Sequence, residues 1–387
     1  MRKILLSTIV VATLATANSE IEVLKAQMNA MQSKLTDLEN TKASASVKAP
    51  KKKGSLVKSK VPVLKFSGKH YLGFKSSKSD SSDRDNRFET RRNYFQVKGY
   101  FDDNPKSYMR LTLDTHQIDD SKYTDALGKT FGKDADGIWN VRLKYAFLYL
   151  DSVLPSTGVE LGQVHRPWID NEEHGSWNYR SISKVFVEAS NGAHLTNSAD
   201  LGFNFKTKTE NFSSELGMFN GEGYHNKETG NGLSAEWRLT GHILGGGKSK
   251  AKKKNTYANV SFFGQQNAES GKHKDVDLNW QGLHAVYNQP AFLVAAQYIT
   301  VADAHTAYKG DGYSINAEYR FTPKWNAIGR YDYFDMDDNS GDKKRAIAGV
   351  TYQYNKHVEF IANYLGDSGS AYGKRNDAGM LTAEVNW

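Results

Sequence analysis

The chain has 387 residues with Lys+Arg 51 against Asp+Glu 43, a net charge of +8, and a mean hydropathy of −0.64. Cys is 0, which excludes a disulfide framework, a thiolate nucleophile and a cysteine metal centre. The mean hydropathy excludes a bundle of membrane helices but not a transmembrane barrel, in which only alternate residues face lipid.

Residues 1–17 have the pattern of a secretory signal. Arg2 and Lys3 precede an apolar run from Ile4 to Leu14, and Ala15-Thr16-Ala17 is a small-residue cleavage site. The competing reading, a membrane anchor, needs a longer apolar run. Residues 18–40 carry Ile21, Leu24, Met28, Met31, Leu35 and Leu38 at alternating spacings of three and four. That a/d seam predicts a short coiled-coil helix and self-association. A helix lying on the barrel is the alternative, though it usually shows a wider stripe. Residues 41–62 are Lys/Ala/Ser-rich, hold Pro50 and Lys51-Lys52-Lys53, and read as a linker.

From residue 63 to 387 the period becomes two. Leu64, Phe66, Leu72 and Phe74 alternate with Lys65, Ser67 and Lys75; Phe95 and Val97 with Arg92, Tyr94, Gln96 and Lys98; Met109, Leu111 and Leu113 with Arg110, Thr112 and Asp114. Val141, Leu143, Tyr145 and Phe147 alternate with Arg142 and Lys144. The pattern resumes at residue 201 and ends on Leu381, Ala383, Val385 and Trp387 opposite Thr382, Glu384 and Asn386. A half-apolar final strand ending on an aromatic suits a barrel that seals against its first strand.

About sixteen strands are expected, an even number as in bacterial outer-membrane barrels. Their connections alternate short and long, which predicts periplasmic turns, extracellular loops and a periplasmic N-terminus. Long polar connections include 76–86, 117–137 and 166–198. The exception is 241–254, a long basic stretch on the side of the short turns.

Several short pieces fit this barrel: Gly162-Gln163 leading to Pro167-Trp168, then Glu172-Glu173; Met218-Phe219-Asn220-Gly221-Glu222-Gly223 at a strand-to-loop step; and Arg330-Tyr331-Asp332. In these the chain resembles the bacterial outer-membrane porins of the phosphate-selective O/P type. The resemblance implies a sixteen-stranded trimeric barrel preceded by a periplasmic coiled coil. It supports the porin reading better than phosphate as the solute.

A porin selects by pore width and by the charge on its constriction. Alternation places Arg92, Lys98, Arg110, Arg142, Lys144, Arg238, Arg320 and Arg330 on the inward face, with Asp114, Glu236, Glu318 and Asp332. The excess of cations predicts a preference for anions, although some of these residues are expected to pair across strands. The 166–198 loop, with Arg166, Glu172, Glu173, Arg180 and Lys184, is the expected constriction. Arg166 and Arg180 have the chemistry to grip an oxyanion.

Enzyme and cofactor patterns fail. His242 stands where a phosphate-binding loop ending in Gly247-Lys248-Ser249 needs glycine; Glu173-His174 lacks a second histidine; Ser340 replaces the glycine of an EF-hand after Asp335 and Asp337. No serine and histidine pair commends itself as a hydrolase site, and the basic run 248–254 lacks the aromatics of a nucleic-acid surface. The expectation is a passive channel without cofactor or metal, in contact with outer-membrane lipid and small anionic solutes. The alternative is a structural barrel that tethers the envelope through its coiled coil and basic linker.

Overall fold

The computed structural model describes residues 29, 33, 34 and 36 and, from 63 onward, all but 81, 102–103, 105, 118–122, 125–129, 132–138, 227–231, 248–252, 268–276, 305–307, 338–340 and 373–374. The expected signal and linker lie outside the described residues, as does most of the heptad segment.

The sixteen barrel strands are β1 (Val63–Ser79), β2 (Ser82–Tyr100), β3 (Tyr108–Gln117), β4 (Trp139–Leu154), β5 (Thr157–His165), β6 (Ala199–Lys208), β7 (Phe212–Phe219), β8 (Ser234–Leu244), β9 (Tyr257–Asn267), β10 (Leu278–Gln289), β11 (Phe292–Asp303), β12 (Gly310–Arg320), β13 (Trp325–Met336), β14 (Gly341–Gln353), β15 (Val358–Ser368) and β16 (Asn376–Asn386). Each pairs antiparallel with its neighbours in sequence, and β16 closes on β1 from Lys69↔Asn386 to Ser79↔Asn376. Gly68 and Trp387 extend the seam with reciprocal backbone bonds of 2.9 and 3.1 Å. Closure satisfies every ladder edge, which hydrocarbon demands.

The faces are inverted relative to a soluble sheet. Leu64, Phe66, Leu72, Leu111, Leu283, Val294, Ile315 and Leu381 are exposed, while Thr112, Asp114, Asn204, Thr240, Gln265 and Ser314 are buried. An apolar exterior around a polar interior is the arrangement for lipid outside and polar groups within.

Three expectations need correction. Residues 76–86 are mostly ladder rather than loop: β1 and β2 stay paired through Ser77↔Asp85, and Ser79 meets Ser82. Polar residues on both faces hide a strand from a period-two reading. Likewise Gly241 and His242 are ladder residues of β8, opposite Val260 and Asn259, so the basic excursion begins at Gly245.

The third correction concerns facing. Between Thr112↔Tyr145 and Leu113↔Leu143, Lys144 is an extra residue on β4. Such a bulge reverses the facing of everything beyond it. Val141 and Leu143 face outward as expected, but Tyr145 and Phe147 turn inward and are only 6% and 0% exposed. A second bulge lies between Tyr71↔Arg92 and Leu72↔Thr90, where Arg91 is the extra residue, so Arg91 and Arg92 both point into the lumen.

The segment between β5 and β6 enters the barrel. Its short helix α1 (Ile169–Gly175) and the turns after it bury Trp168, Ile169, Trp177, Ile182, Val185, Phe186 and Leu195. They pack on Phe263, Trp280, Ile299, Ile328, Phe334, Ile347 and Ile361, inward residues of β9 to β15. The Trp168 ring stacks on Phe263 with centroids 3.6 Å apart, and Phe186 meets Phe334 edge-on at 6.3 Å. Each such side chain contributes about 1.5–3 kcal/mol by burial, which offsets the entropy of ordering a long loop.

Candidate functional site

Arg166 roots the inserted loop. Its guanidinium lies 2.6 Å from Asp200 and 3.0 Å from Glu236, bonds the Gly221 carbonyl at 3.0 Å and contacts Thr196. It is 2% exposed, so it is an anchor rather than a grip for solute.

Farther along, polar side chains of the wall hold the loop where its backbone would otherwise be unsatisfied. Gln297 donates to Glu172 at 2.5 Å, Trp168 donates to the other oxygen at 2.8 Å, and Asn316 donates to the Ser176 carbonyl at 3.1 Å. Arg330 donates to the Lys184 carbonyl at 2.9 Å while held bidentate by Asp332 at 2.7 and 2.8 Å. Burial pushes the Glu172 carboxyl up to about 7, against the pull of Arg330 and its two donors.

These contacts take several expected lining residues out of play. Arg238 is tied to Glu215 at 3.1 Å and to the Pro167 carbonyl at 3.2 Å. Arg320 is tied to Glu318 at 2.9 Å and to Asn288 at 2.9 Å. Arg166, Glu172, Arg238, Arg320 and Arg330 are therefore structural pairs beneath or beside the loop. Arg320 and Arg330 are held by carboxylates beside them on the same inward face, whereas Arg238 and Arg166, though paired, each still border an internal cavity.

Opposite the loop, the wall of β1 to β4 carries a different set. Arg92 and Arg142 share one oxygen of Asp114, each at 2.8 Å. Arg142 also lies over the Tyr224 ring at 5.0 Å. Lys144 sits over Tyr94 at 4.5 Å and Tyr145 at 5.2 Å. Arg91 bonds Glu89 at 2.9 Å, Thr382 at 2.6 Å and the Ser181 carbonyl of the loop at 3.2 Å.

From the loop side, Arg180 reaches Glu188 at 2.5 and 3.1 Å and also contacts Glu173, and Lys184 reaches Glu188 at 3.1 Å. Burial alone would raise the Glu188 carboxyl. Arg180, then Lys184 and Lys144 of the facing wall, outweigh it and hold the group well below the carboxylate range. The two sides thus feel each other across the lumen. Arg91, Arg92, Arg142, Lys144, Arg180 and Lys184 oppose Glu89, Asp114, Glu173 and Glu188, six cations to four carboxylates.

A cavity of about 890 Å³ opens on the side of the short connections, lined among others by Lys98, Arg110, Asp170, Lys206, Lys208 and Lys253. Lys98 lies over Tyr108 at 4.2 Å and Arg110 over Tyr145 at 4.5 Å. Burial opposes ionisation of Asp170; His174, His165, Lys206 and Arg110 overcome it and hold the carboxyl below its ordinary value. On the opposite side of the loop a space of about 180 Å³ is bounded by Lys184, Glu188, Glu222 and His225. Among the described residues no cluster of histidines and carboxylates has the geometry of a metal site.

Arg91, Tyr94 and Glu188 belong to this waist and were missed by the sequence reading. Arg91 was hidden by its bulge, because a strict period of two places only one of two successive arginines inward. Glu188 was hidden among small and apolar residues of the loop.

No protein-family model matches the chain, and no curated protein matches it in sequence. Solved structures do match. OprB of Pseudomonas putida, at high pH, has a TM-score of 0.60 at 9% identity, covering 84% of this chain and 94% of that chain. Salmonella typhi OmpF, in complex with daunomycin, has 0.57 at 14%, covering 84% and 98%. OmpT of Vibrio cholerae, an outer membrane protein in its in-vitro folded trimer form, has 0.56 at 12%, covering 84% and 100%. At such identities the likeness is one of architecture: the chain has the fold of the closed sixteen-stranded outer-membrane barrels.

Proposed function

We propose that this protein is an outer-membrane porin: a passive diffusion channel for small hydrophilic solutes, preferring anions, with its filter between the inserted loop and the wall of β1 to β4. The excess of cations facing one another across that waist carries the reading. Charge held in a narrow bore with low-dielectric walls raises the local concentration of the opposite ion. No bond is made or broken, so no catalytic group is needed.

The apolar exterior supports residence in outer-membrane lipid, and the sorting of short and long connections supports a periplasmic N-terminus. Residues 1–17 act as the export signal, 18–40 as a coiled coil that joins three copies, and 41–62 as the linker to the barrel. The resemblance to phosphate-selective porins nominates phosphate as one of the anions.

Planar-bilayer recording of the purified protein tests the reading. Discrete conductance steps, with a reversal potential on the chloride side of zero in a KCl gradient, are expected. Added phosphate should reduce chloride current if it binds at the waist. Absence of any steps would favour the tethering barrel, whose coiled coil and basic linker would then be its working parts.

A further inference from the structure

The basic excursion after β8 breaks the alternation of short and long connections, and its described end lies inside the barrel. The Lys253 carbonyl accepts from Arg320 at 3.1 Å and Asn288 at 3.4 Å, and Asn288 also donates to the Asn255 carbonyl at 2.5 Å. These bonds fix the backbone of the excursion against β10 and β12. The Lys253 ammonium donates to the Tyr179 hydroxyl of the inserted loop at 3.1 Å and lies 4.8 Å from that ring. It also lies 3.2 Å from Glu318 and 3.7 Å from Glu359.

The wall here is acidic. Glu318 is held by Arg320 at 2.9 Å, a cation whose side chain is only 8% exposed. Glu359 has Lys253 as a cationic partner, and its Oε1 accepts no hydrogen bond among the described residues. The Lys253 side chain is 36% exposed and lines the cavity of about 890 Å³. The lysine therefore offsets the negative charge that Arg320 leaves unbalanced, at the edge of the path below the waist.

We infer that Lys253, supplied by the turn and not by a strand, is a selectivity-determining residue at the mouth of the bore that carries the short connections. Together with Arg320 it balances Glu318 and Glu359, and it braces the inserted loop from beneath through Tyr179. Without it, two carboxylates would face Arg320 alone, and the mouth, still lined by Lys98, Arg110, Lys206 and Lys208, would favour anions less. The inference rests on the channel reading and adds to it a second filter, separate from the waist.

The test is reversal potential in a KCl gradient for the wild type and for K253Q, E359Q and K253Q/E359Q. The anion-to-cation permeability ratio should fall roughly two- to threefold in K253Q, as the field argument requires. It should rise in E359Q, which keeps the lysine and removes its acid. The double variant should return towards the wild type. A conducting channel whose ratio is the same in all four forms overturns the inference and leaves the channel reading standing. Should K253Q fail to insert, an unchanged ratio in E359Q overturns it equally. A wild-type protein that gives no conductance overturns both.

Discussion

The lumen has two unlike walls. From β9 to β15 the inward face mixes apolar residues that the inserted loop covers, Phe263, Ile299, Ile328, Phe334 and Ile361, with polar ones such as Gln297, Asn316 and Arg330 that bond it. From β1 to β4 it is charged: Arg92 and Arg142 hold Asp114, Lys144 lies over Tyr94, and Arg91 reaches the Ser181 carbonyl of the loop. One wall is a docking surface and behaves as a protein core; the other is the lining. The same alternation builds both, so inward-facing is not a synonym for solute-facing. What separates them is what meets the loop: packed apolar side chains on one wall, charged side chains on the other.

The sharpest way to break the covered wall is at its root. Arg166→Ala leaves Asp200 and Glu236 buried without their cation, a loss of about 3–5 kcal/mol for such pairs. The loop should become a site of rapid proteolysis while the barrel persists. A loop as resistant as the wild type would mean that apolar packing alone seats it.

Next comes pH. The Glu172 carboxyl is raised from its ordinary 4.5 to about 7 by burial, so between those values the docked loop holds a proton that the undocked one releases. Docking is strongest below about 4.5 and weakens as pH rises from there to about 7, by roughly 3–4 kcal/mol at ~1.4 kcal/mol per pKa unit. Hydrogen-exchange protection over residues 169–198, taken relative to the intrinsic base-catalysed rate at each pH, should fall between pH 5 and pH 8. Glu172→Gln should flatten that profile; an unchanged profile would place the titrating group elsewhere.

The bare wall should respond in selectivity and not in loop stability. Arg92→Ala with Arg142→Ala leaves Asp114 facing Lys144 alone, and the anion-to-cation permeability ratio should fall about fivefold, equivalent to about 1 kcal/mol. Arg180→Ala should move it the same way. If the double variant loosened the loop as much as Arg166→Ala does, the division between the walls would fail.

Much of this was legible in the residues. The strand number, the alternation of Leu111 with Arg110 and Thr112, and the entry point of the long loop all follow from period and turn spacing. What was not legible depends on contacts between distant segments. The run Phe292-Leu293-Val294-Ala295-Ala296 is apolar on both faces, with Val294 exposed and Leu293 and Ala295 buried. Its meaning required knowing that the barrel interior there is filled. Arg320 and Arg330 read as lining because a one-strand pattern shows facing, not the carboxylate placed alongside. Tyr145 and Phe147 were misplaced because periodicity assumes that no residue is extra.

Those extra residues, Arg91 and Lys144, set how densely the lining is charged. A barrel's circumference limits how many side chains can meet at one height. An insertion absorbed as a bulge adds another without widening the ring. A strand such as β4 then changes its lipid-facing set from Val141 and Leu143 to Ala146 and Leu148 partway along its length. Gaining or losing a single amino acid in such a strand is thus enough to retune the passage, with strand number and closure left intact.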